Sequence, residues 1–142
     1  MLNKTCQYAI KAIIYMGTKV DVTERLRVKD VAEAIGSPEA FTSKILQKLV
    51  AHGIVYSTKG GGGGFEVELD TLKKTSLVEV VKAVDHDSIS EGCILGLPRC
   101  SDKNPCPVHT RYAPLRKQLN EELLEIMIYD IIHDSKQEYQ FK

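Results

Sequence analysis

Apolar residues recur at steps of three and four along the first twenty positions. Leu2, Cys6, Ala9, Ile10, Ile13, Gly17 and Val20 form one stripe, with Lys4, Lys11 and Lys19 off it. This is amphipathic-helix periodicity, and it predicts a helix from about Asn3 to Lys19. A polar stretch, Asp21 to Arg27, leads to a second, shorter helix carrying Val28, Val31, Ala32 and Ile35, stopped by Gly36. Ser37-Pro38-Glu39 predicts a third helix start: a serine to cap free amides, a proline suited to the first helical position, and an acid at the positive end of the dipole. Phe41, Ile45, Leu49 and Val50 mark its inner face, which leaves Glu39, Ser43, Lys44, Gln47 and Lys48 pointing outward before Gly53 ends it.

Two short segments after Gly53 read as strands, Ile54-Val55-Tyr56-Ser57 and Phe65-Glu66-Val67-Glu68-Leu69, the second alternating cleanly. Thr58-Lys59 and five consecutive glycines, Gly60 to Gly64, lie between them and predict a hairpin with a glycine-rich tip. A helix pair with a polar, basic outer face is a helix-turn-helix candidate, although an αα-hairpin inside a helical bundle shows the same pattern. The glycine hairpin tips the balance, because five glycines cost backbone entropy that close approach to another surface can offset. The pattern therefore predicts a winged helix-turn-helix, the wing resting on the sugar-phosphate of double-stranded DNA. A phosphate-binding loop is excluded: no Gly-Lys-Ser/Thr follows the glycines.

Ser76-Leu77-Val78-Glu79 has capping-box spacing, and Leu77, Val80, Val81 and Val84 give a short helix an inner face that ends near Asp85. Periodicity then disappears over residues 85–108, an irregular loop of a length that is usually functional or disordered. The last predicted helix runs from about Pro107 or Thr110 to His133, with Leu115, Leu119, Leu123, Ile126 and Met127 on one face and Leu124, Ile128 and Ile131 on another. A helix of roughly 25 residues spans on the order of 35 Å, more than a domain this small covers by itself, so a second copy is expected to bury the excess in a homodimer. The fold class expected is mainly α with a small β-hairpin. Its parts are a winged helix-turn-helix over 1–70, a short helix and cysteine loop over 71–108, a dimerisation helix over 109–134 and a tail over 135–142.

Composition changes this picture little. The 142 residues carry 19 basic and 19 acidic side chains, yet residues 1–65 hold nine Lys or Arg against five acids, so the predicted DNA-binding half has a net charge of +4. No apolar run approaches the roughly 18 residues of a membrane span, and the charged opening is unlike a secretory signal, so a cytoplasmic protein is expected. In that reducing compartment four cysteines point to metal binding or redox sensing rather than disulfides.

Cys93, Cys100 and Cys106 are separated by six and five residues. The tighter Cys-x2-Cys knuckle of many zinc sites is absent, and the wider gaps favour an iron–sulfur cluster over zinc while leaving zinc and direct thiol oxidation open. Cys106 is expected where a helix begins, with Pro107 as its first residue and the dipole favouring the thiolate. His109, three residues on, would share that face and complete a Cys3His ligand set, the alternative being a solvent-facing ring. His52, His86 and His133 are expected at the surface. Cys6, on the apolar stripe, is expected to be a small buried residue, with a ligand role across a dimer as the alternative. No paired carboxylates, activated nucleophile or nucleotide loop is visible, so an enzyme is not expected.

Together these residues resemble the Rrf-two family of bacterial winged-helix regulators. The resemblance rests on Lys4-x-x-x-Tyr8-Ala9, Leu49-x-x-x-Gly53-Ile54-Val55, Ser57-x-Lys59-Gly60-x-x-Gly63-Gly64-Phe65, Val80-Val81-x-Ala83-Val84, and the three cysteines ending in Cys106-x-x-His109. It implies a dimeric transcription factor, a repressor, responding to oxygen, nitric oxide or iron. The cluster, 2Fe–2S in preference to 4Fe–4S, would sit in the loop before the long helix and the dimer on a palindromic promoter site. It also implies that Thr42, Ser43, Lys44 and Gln47, with Lys48 beside them, reach base edges or phosphates, and that Lys59 with Gly60, Gly63 and Gly64 enters the minor groove. Some features depart from the family pattern. The first cysteine gap is six residues where the iron–sulfur assembly regulators have five, and Gln7 stands where nitric-oxide sensors can take a carboxylate from the partner. Lys59 replaces a frequent arginine, keeping the charge but losing the planar fork.

Overall fold

A computed structural model of the chain describes residues 2–21, 25–86, 92–134 and 140–141. Residues 22–24 of the polar stretch, 87–91 of the cysteine loop and nearly all of the 135–142 tail lie outside the described residues.

Helix α1 (Lys4–Gly17) starts where the side chain of Asn3 accepts the Cys6 amide, and it buries Cys6, Ala9, Ala12, Ile13 and Met16. Helix α2 (Val28–Ile35) ends on Gly36, whose φ of 66° lets the Ser37 amide reach back to the Ala32 carbonyl. Ser37 is committed to that stop and does not cap the next helix. Helix α3 (Glu39–Ala51) begins after Pro38 without a side-chain cap, one residue later than proline at the first helical position implies. These three helices share a core through Ile13, Val31, Ile35, Ile45, Leu46 and Leu49.

The hairpin pairs β1 (Tyr56–Thr58) with β2 (Gly64–Glu66) in antiparallel register, Ser57 opposite Phe65. It is narrower than the predicted strands, because Ile54, Val55 and Val67 are buried as anchors beneath it. Leu26, read in sequence as part of a polar linker, bridges to Phe65 by two backbone hydrogen bonds of 2.9 and 2.7 Å and forms a third edge at the wing base. A short helix α4 (Leu69–Lys74), not predicted, follows directly. Helix α5 (Leu77–Val84) has the expected capping box: Ser76 accepts the Glu79 amide, and the Glu79 carboxylate accepts from Ser76.

The C-terminal segment corrects the sequence expectation most. Instead of one helix of about 25 residues there are α6 (His109–Leu119), a π-helical turn (Asn120–Leu124), a break, and α7 (Ile128–Asp134). The cause of the break is tertiary. The Ile126 carbonyl accepts the Leu77 amide, one of the orphan donors at the start of α5, and the Ile128 amide donates to Thr75. Leu124 and Ile128 thereby enter the protein's own core, and α7 packs against α1 and α4. Part of the apolar surface assigned to a second copy is thus covered internally. Leu115 and Leu123 stay exposed and Leu119 half-buried. Among the described residues no helix is long and apolar enough to cross a membrane.

Candidate metal centre and DNA-binding face

Two tight turns shape the cysteine loop. In the first, the Gly96 amide returns to the Cys93 carbonyl, with Gly96 at φ 70°, a conformation that suits glycine. In the second, Ser101 and Asn104 exchange backbone hydrogen bonds. Arg116 of α6 donates to the Gly92 carbonyl at 3.0 Å and so ties the loop entrance to the helix after it. Helix α6 begins at His109, inside the expected Pro107–Thr110 range but two residues after Pro107, so Cys106 lies in the preceding turn rather than at the helix start, and its carbonyl accepts the His109 amide.

These turns bring the sulfurs of Cys93, Cys100 and Cys106 within 4.8 Å of one another. Cys93 Sγ lies 3.7 Å from Cys106 Sγ. Two thiolates on one tetrahedral metal with bonds of about 2.3 Å are about 3.8 Å apart, so this pair already has the spacing of a coordination edge. The thiols influence each other. Cys93 is pulled down to about 7, first by the Leu97 backbone amide, then by that of Leu95 and by the neighbouring thiols. At Cys100 a backbone hydrogen bond from Cys106 acts to lower the pKa but is outweighed by desolvation and by the Cys106 and Cys93 side chains, which push it up. Three thiolates this close repel each other, and a thiophilic cation relieves that repulsion. The donor set fits an iron–sulfur cluster or a soft metal ion.

His109 is not solvent-facing: it is 6 % exposed. Its Nδ1 lies 3.1 Å from Cys100 Sγ and its Nε2 2.9 Å from Asp102 Oδ1. The structure thus brings His109 to the cysteine pocket through Cys100, and it adds Asp102, a residue that no spacing motif in the sequence marks. His52, His86 and His133 are exposed.

Cys6 is buried, 1 % exposed, with its thiol directed at Asp85 at 3.9 Å. Burial first, then the Asp85 charge and hydrogen bond, push it up to about 11, with Lys48 acting in the opposite direction. Native protein treated with iodoacetamide at about pH 8 is therefore expected to keep Cys6 unmodified, as read by peptide mass spectrometry. In alkaline solution the unfolded chain loses this proton before the folded one does, so the stability from Cys6 is present below about pH 9 and lost toward pH 11. Cys6→Ala should flatten that decline, and an unchanged pH profile would count against a protonated buried thiol.

On the candidate DNA-binding face the residues of α3 divide. Lys44 and Gln47 are exposed and Ser43 is half-buried, accepting a hydrogen bond from Gln47. Thr42 corrects the expectation: it is fully buried, donating its hydroxyl to the Pro38 carbonyl at 3.0 Å, and does not face outward. Lys48 also turns away from that face, its Nζ donating to the Val84 carbonyl at the end of α5. Gln47 lines a groove of ≈ 650 Å³ together with Lys59, Gly60, Gly63 and Gly64 of the wing and Arg27. In sequence Arg27 counted only as a charge; its place beside the start of α2 was the available signal. Arg25 donates to the Gly62 carbonyl and to Glu66, bracing the wing from behind.

Known proteins share both the sequence and the fold. An HTH-type transcriptional regulator of Aquifex aeolicus, provisionally so named, is 28 % identical over 135 residues, covering 94 % of this chain and 92 % of that one. The transcriptional regulator IscR of Vibrio vulnificus is 26 % identical over 135 residues, covering 95 % and 79 %. The solved structure of T. potens IscR superposes with a TM-score of 0.70 at 17 % identity, covering 100 % of this chain and 96 % of that one, which establishes a common winged-helix fold. The family model described as an iron-dependent transcriptional regulator, Rrf2, matches residues 2–134, and the chain therefore belongs to the Rrf2 family of transcriptional regulators.

Proposed function

We propose that this protein is a cytoplasmic, homodimeric repressor that binds palindromic promoter DNA and senses redox, nitric-oxide or iron–sulfur status through a cluster, 2Fe–2S in preference to 4Fe–4S, held by Cys93, Cys100 and Cys106 with His109 as fourth donor. The observation that carries this reading is the convergence of the three sulfurs within 4.8 Å, on a chain that also has a groove between recognition helix and wing.

DNA contact falls to Ser43, Lys44 and Gln47 of α3 and to Lys59 with Gly60, Gly63 and Gly64, joined by Arg27; charge from Lys44, Lys59 and Arg27 supplies the phosphate attraction. Exposed Leu115 and Leu123, with half-buried Leu119 between them, on α6 and the π turn supply the dimer contact. A cluster held by Cys93, Cys100, Cys106 and His109 would supply sulfur-ligated iron open to oxidants and nitric oxide, and the charge and shape of the loop would depend on its presence. This chain's own contacts then couple loop to DNA face: Arg116 holds the loop entrance to α6, and Lys48 of the recognition helix holds the end of α5 that leads into the loop. A loop rearrangement displaces both anchors and shifts the population of binding-competent dimer.

Protein purified anaerobically should be coloured, contain iron and acid-labile sulfide, and retard promoter fragments selected from genomic DNA differently with and without the cluster, while Cys106→Ser lacks the colour and the difference. A colourless preparation holding stoichiometric zinc would sink the cluster reading. Failure to bind promoter DNA in either state would sink the regulatory one.

A further inference from the structure

We propose that Asp102 is a positioning residue for the metal centre: its carboxylate fixes the tautomer and orientation of His109 so that Nδ1 presents a lone pair to the cysteine pocket. The inference rests on His109 as a donor to that pocket and deepens the reading above.

Hydrogen-bond capacity decides the tautomer. A neutral imidazole carries one N–H and one lone pair, and a carboxylate can only accept. With Nε2 at 2.9 Å from Asp102 Oδ1, the proton belongs on Nε2, since the opposite tautomer would set a ring lone pair against a carboxylate oxygen. Nδ1 is then left as the lone-pair nitrogen, and it is the atom facing Cys100 Sγ at 3.1 Å. The ring has little freedom to choose otherwise. Its side chain is 7 % exposed, and its backbone is fixed at the first residue of α6 by the hydrogen bond that the His109 amide donates to the Cys106 carbonyl.

Asp102 is held for this task by local structure. It sits in the tight turn closed by Ser101 and Asn104, where the Asn104 amide also donates to the Ser101 hydroxyl and the Asn104 side chain donates to the Arg99 carbonyl. The turn carries Cys100 on one side and Asp102 on the other, so a single loop supplies a sulfur donor and the group that orients the nitrogen donor. Histidine ligands in metalloproteins commonly donate their second N–H to a carboxylate or carbonyl, which fixes the ring and raises its basicity. Apart from that hydrogen bond, the Asp102 side chain is almost wholly exposed, which leaves it no packing role.

The test compares wild type with Asp102→Ala and Asp102→Asn, whose amide oxygen can still accept from Nε2. Long-range proton–nitrogen NMR of the metal-free proteins reads the tautomer. Wild type and Asp102→Asn should show His109 protonated at Nε2, and Asp102→Ala a mixture. After anaerobic reconstitution with ferrous iron and sulfide, Asp102→Ala should lose its cluster to EDTA about 10–100-fold faster than wild type, with Asp102→Asn close to wild type. A wild-type ring protonated at Nδ1, or an Asp102→Ala protein with unchanged tautomer, overturns the proposal. A changed tautomer with unchanged retention overturns the link to the metal centre. If wild type takes up no cluster, the cluster reading fails, and the metal-free NMR still decides whether Asp102 sets the ring.

Discussion

Ile128→Ala is expected to lower the unfolding free energy by about 2–5 kcal/mol, the range for removing a large aliphatic side chain from a packed core. In a single straight C-terminal helix Ile128 would be one of several residues awaiting a partner subunit. Here it is 0 % exposed, its amide donates to Thr75 at 2.9 Å, and it stands at the head of α7 where that helix lies across α1 and α4. Its truncation leaves a void between elements that the short break before α7 cannot easily close. Further along the same helix, Ile132 packs so closely on Gly17 that a methyl group there would have to displace it, so loosening α7 at Ile128 should weaken that contact as well. Leu115→Ala makes the opposite comparison: Leu115 is 62 % exposed, and its loss should change unfolding of the monomer by no more than about 0.5 kcal/mol. Urea unfolding at fixed, low protein concentration measures both, and equal effects at the two positions would contradict the folded-back α7.

Gly63→Ala should weaken DNA binding about tenfold to a hundredfold while Gly61→Ala leaves the hairpin intact. A Cβ on Gly63 would collide with the Thr58 carbonyl oxygen and would lie 2.9 Å from the Gly60 oxygen and 3.0 Å from the Lys59 carbonyl carbon. All three are backbone atoms of the hairpin itself and cannot swing aside, so the turn closed by Gly63 N–H and Gly60 C=O must open. Local backbone strain of this kind costs about 1–3 kcal/mol. If binding requires the native wing, that cost converts to the stated loss of affinity at about 1.4 kcal/mol per tenfold. A Cβ added at Gly61 or Gly62 would meet nothing within 4 Å, and neither residue has a positive φ, so the hairpin does not require glycine there. Any affinity lost by Gly61→Ala would then report close approach of the DNA rather than damage to the wing. Fluorescence anisotropy with a promoter fragment, beside thermal melting, separates the cases, and Gly63→Ala binding at wild-type strength would refute the structural role.

The parts of this fold that were legible in sequence are those where local chemistry and packing agree. The stripe in α1, the Gly36 stop, the Ser76–Glu79 capping box and the glycine hairpin each carry their own signal within a few residues, and each appears within three residues of its expected bounds, the largest shift being the early end of β2 at Glu66. Helix α4 was hidden because six residues are too few for a 3.6-residue period to register, and Leu69 fitted the preceding strand alternation equally well. Thr42 was misplaced for a related reason. A threonine on a helix looks polar, but its hydroxyl can bond a carbonyl four residues back, and Thr42 does so to Pro38, which lets it enter the core.

At the candidate site the split falls in the same way. The spacing of Cys93, Cys100, Cys106 and His109 marked a candidate metal or redox loop from sequence, because thiols grouped in an irregular segment point to that chemistry, and the structure draws the three sulfurs together. The sequence also determined the winged helix-turn-helix, through periodicities that each element carries alone. Only the tertiary structure decided that the last helix breaks at 125–127, because the Leu77 amide and the Thr75 carbonyl, about fifty residues away along the chain, take hydrogen bonds that a continuous helix would have kept. It likewise decided that Lys48 serves the end of α5 rather than the outer face of α3, and that Asp102 meets His109. Lys48 and Val84 meet across 36 residues and Asp102 and His109 across seven, from the irregular loop to the start of α6, and no local pattern of apolar and polar residues encodes either contact.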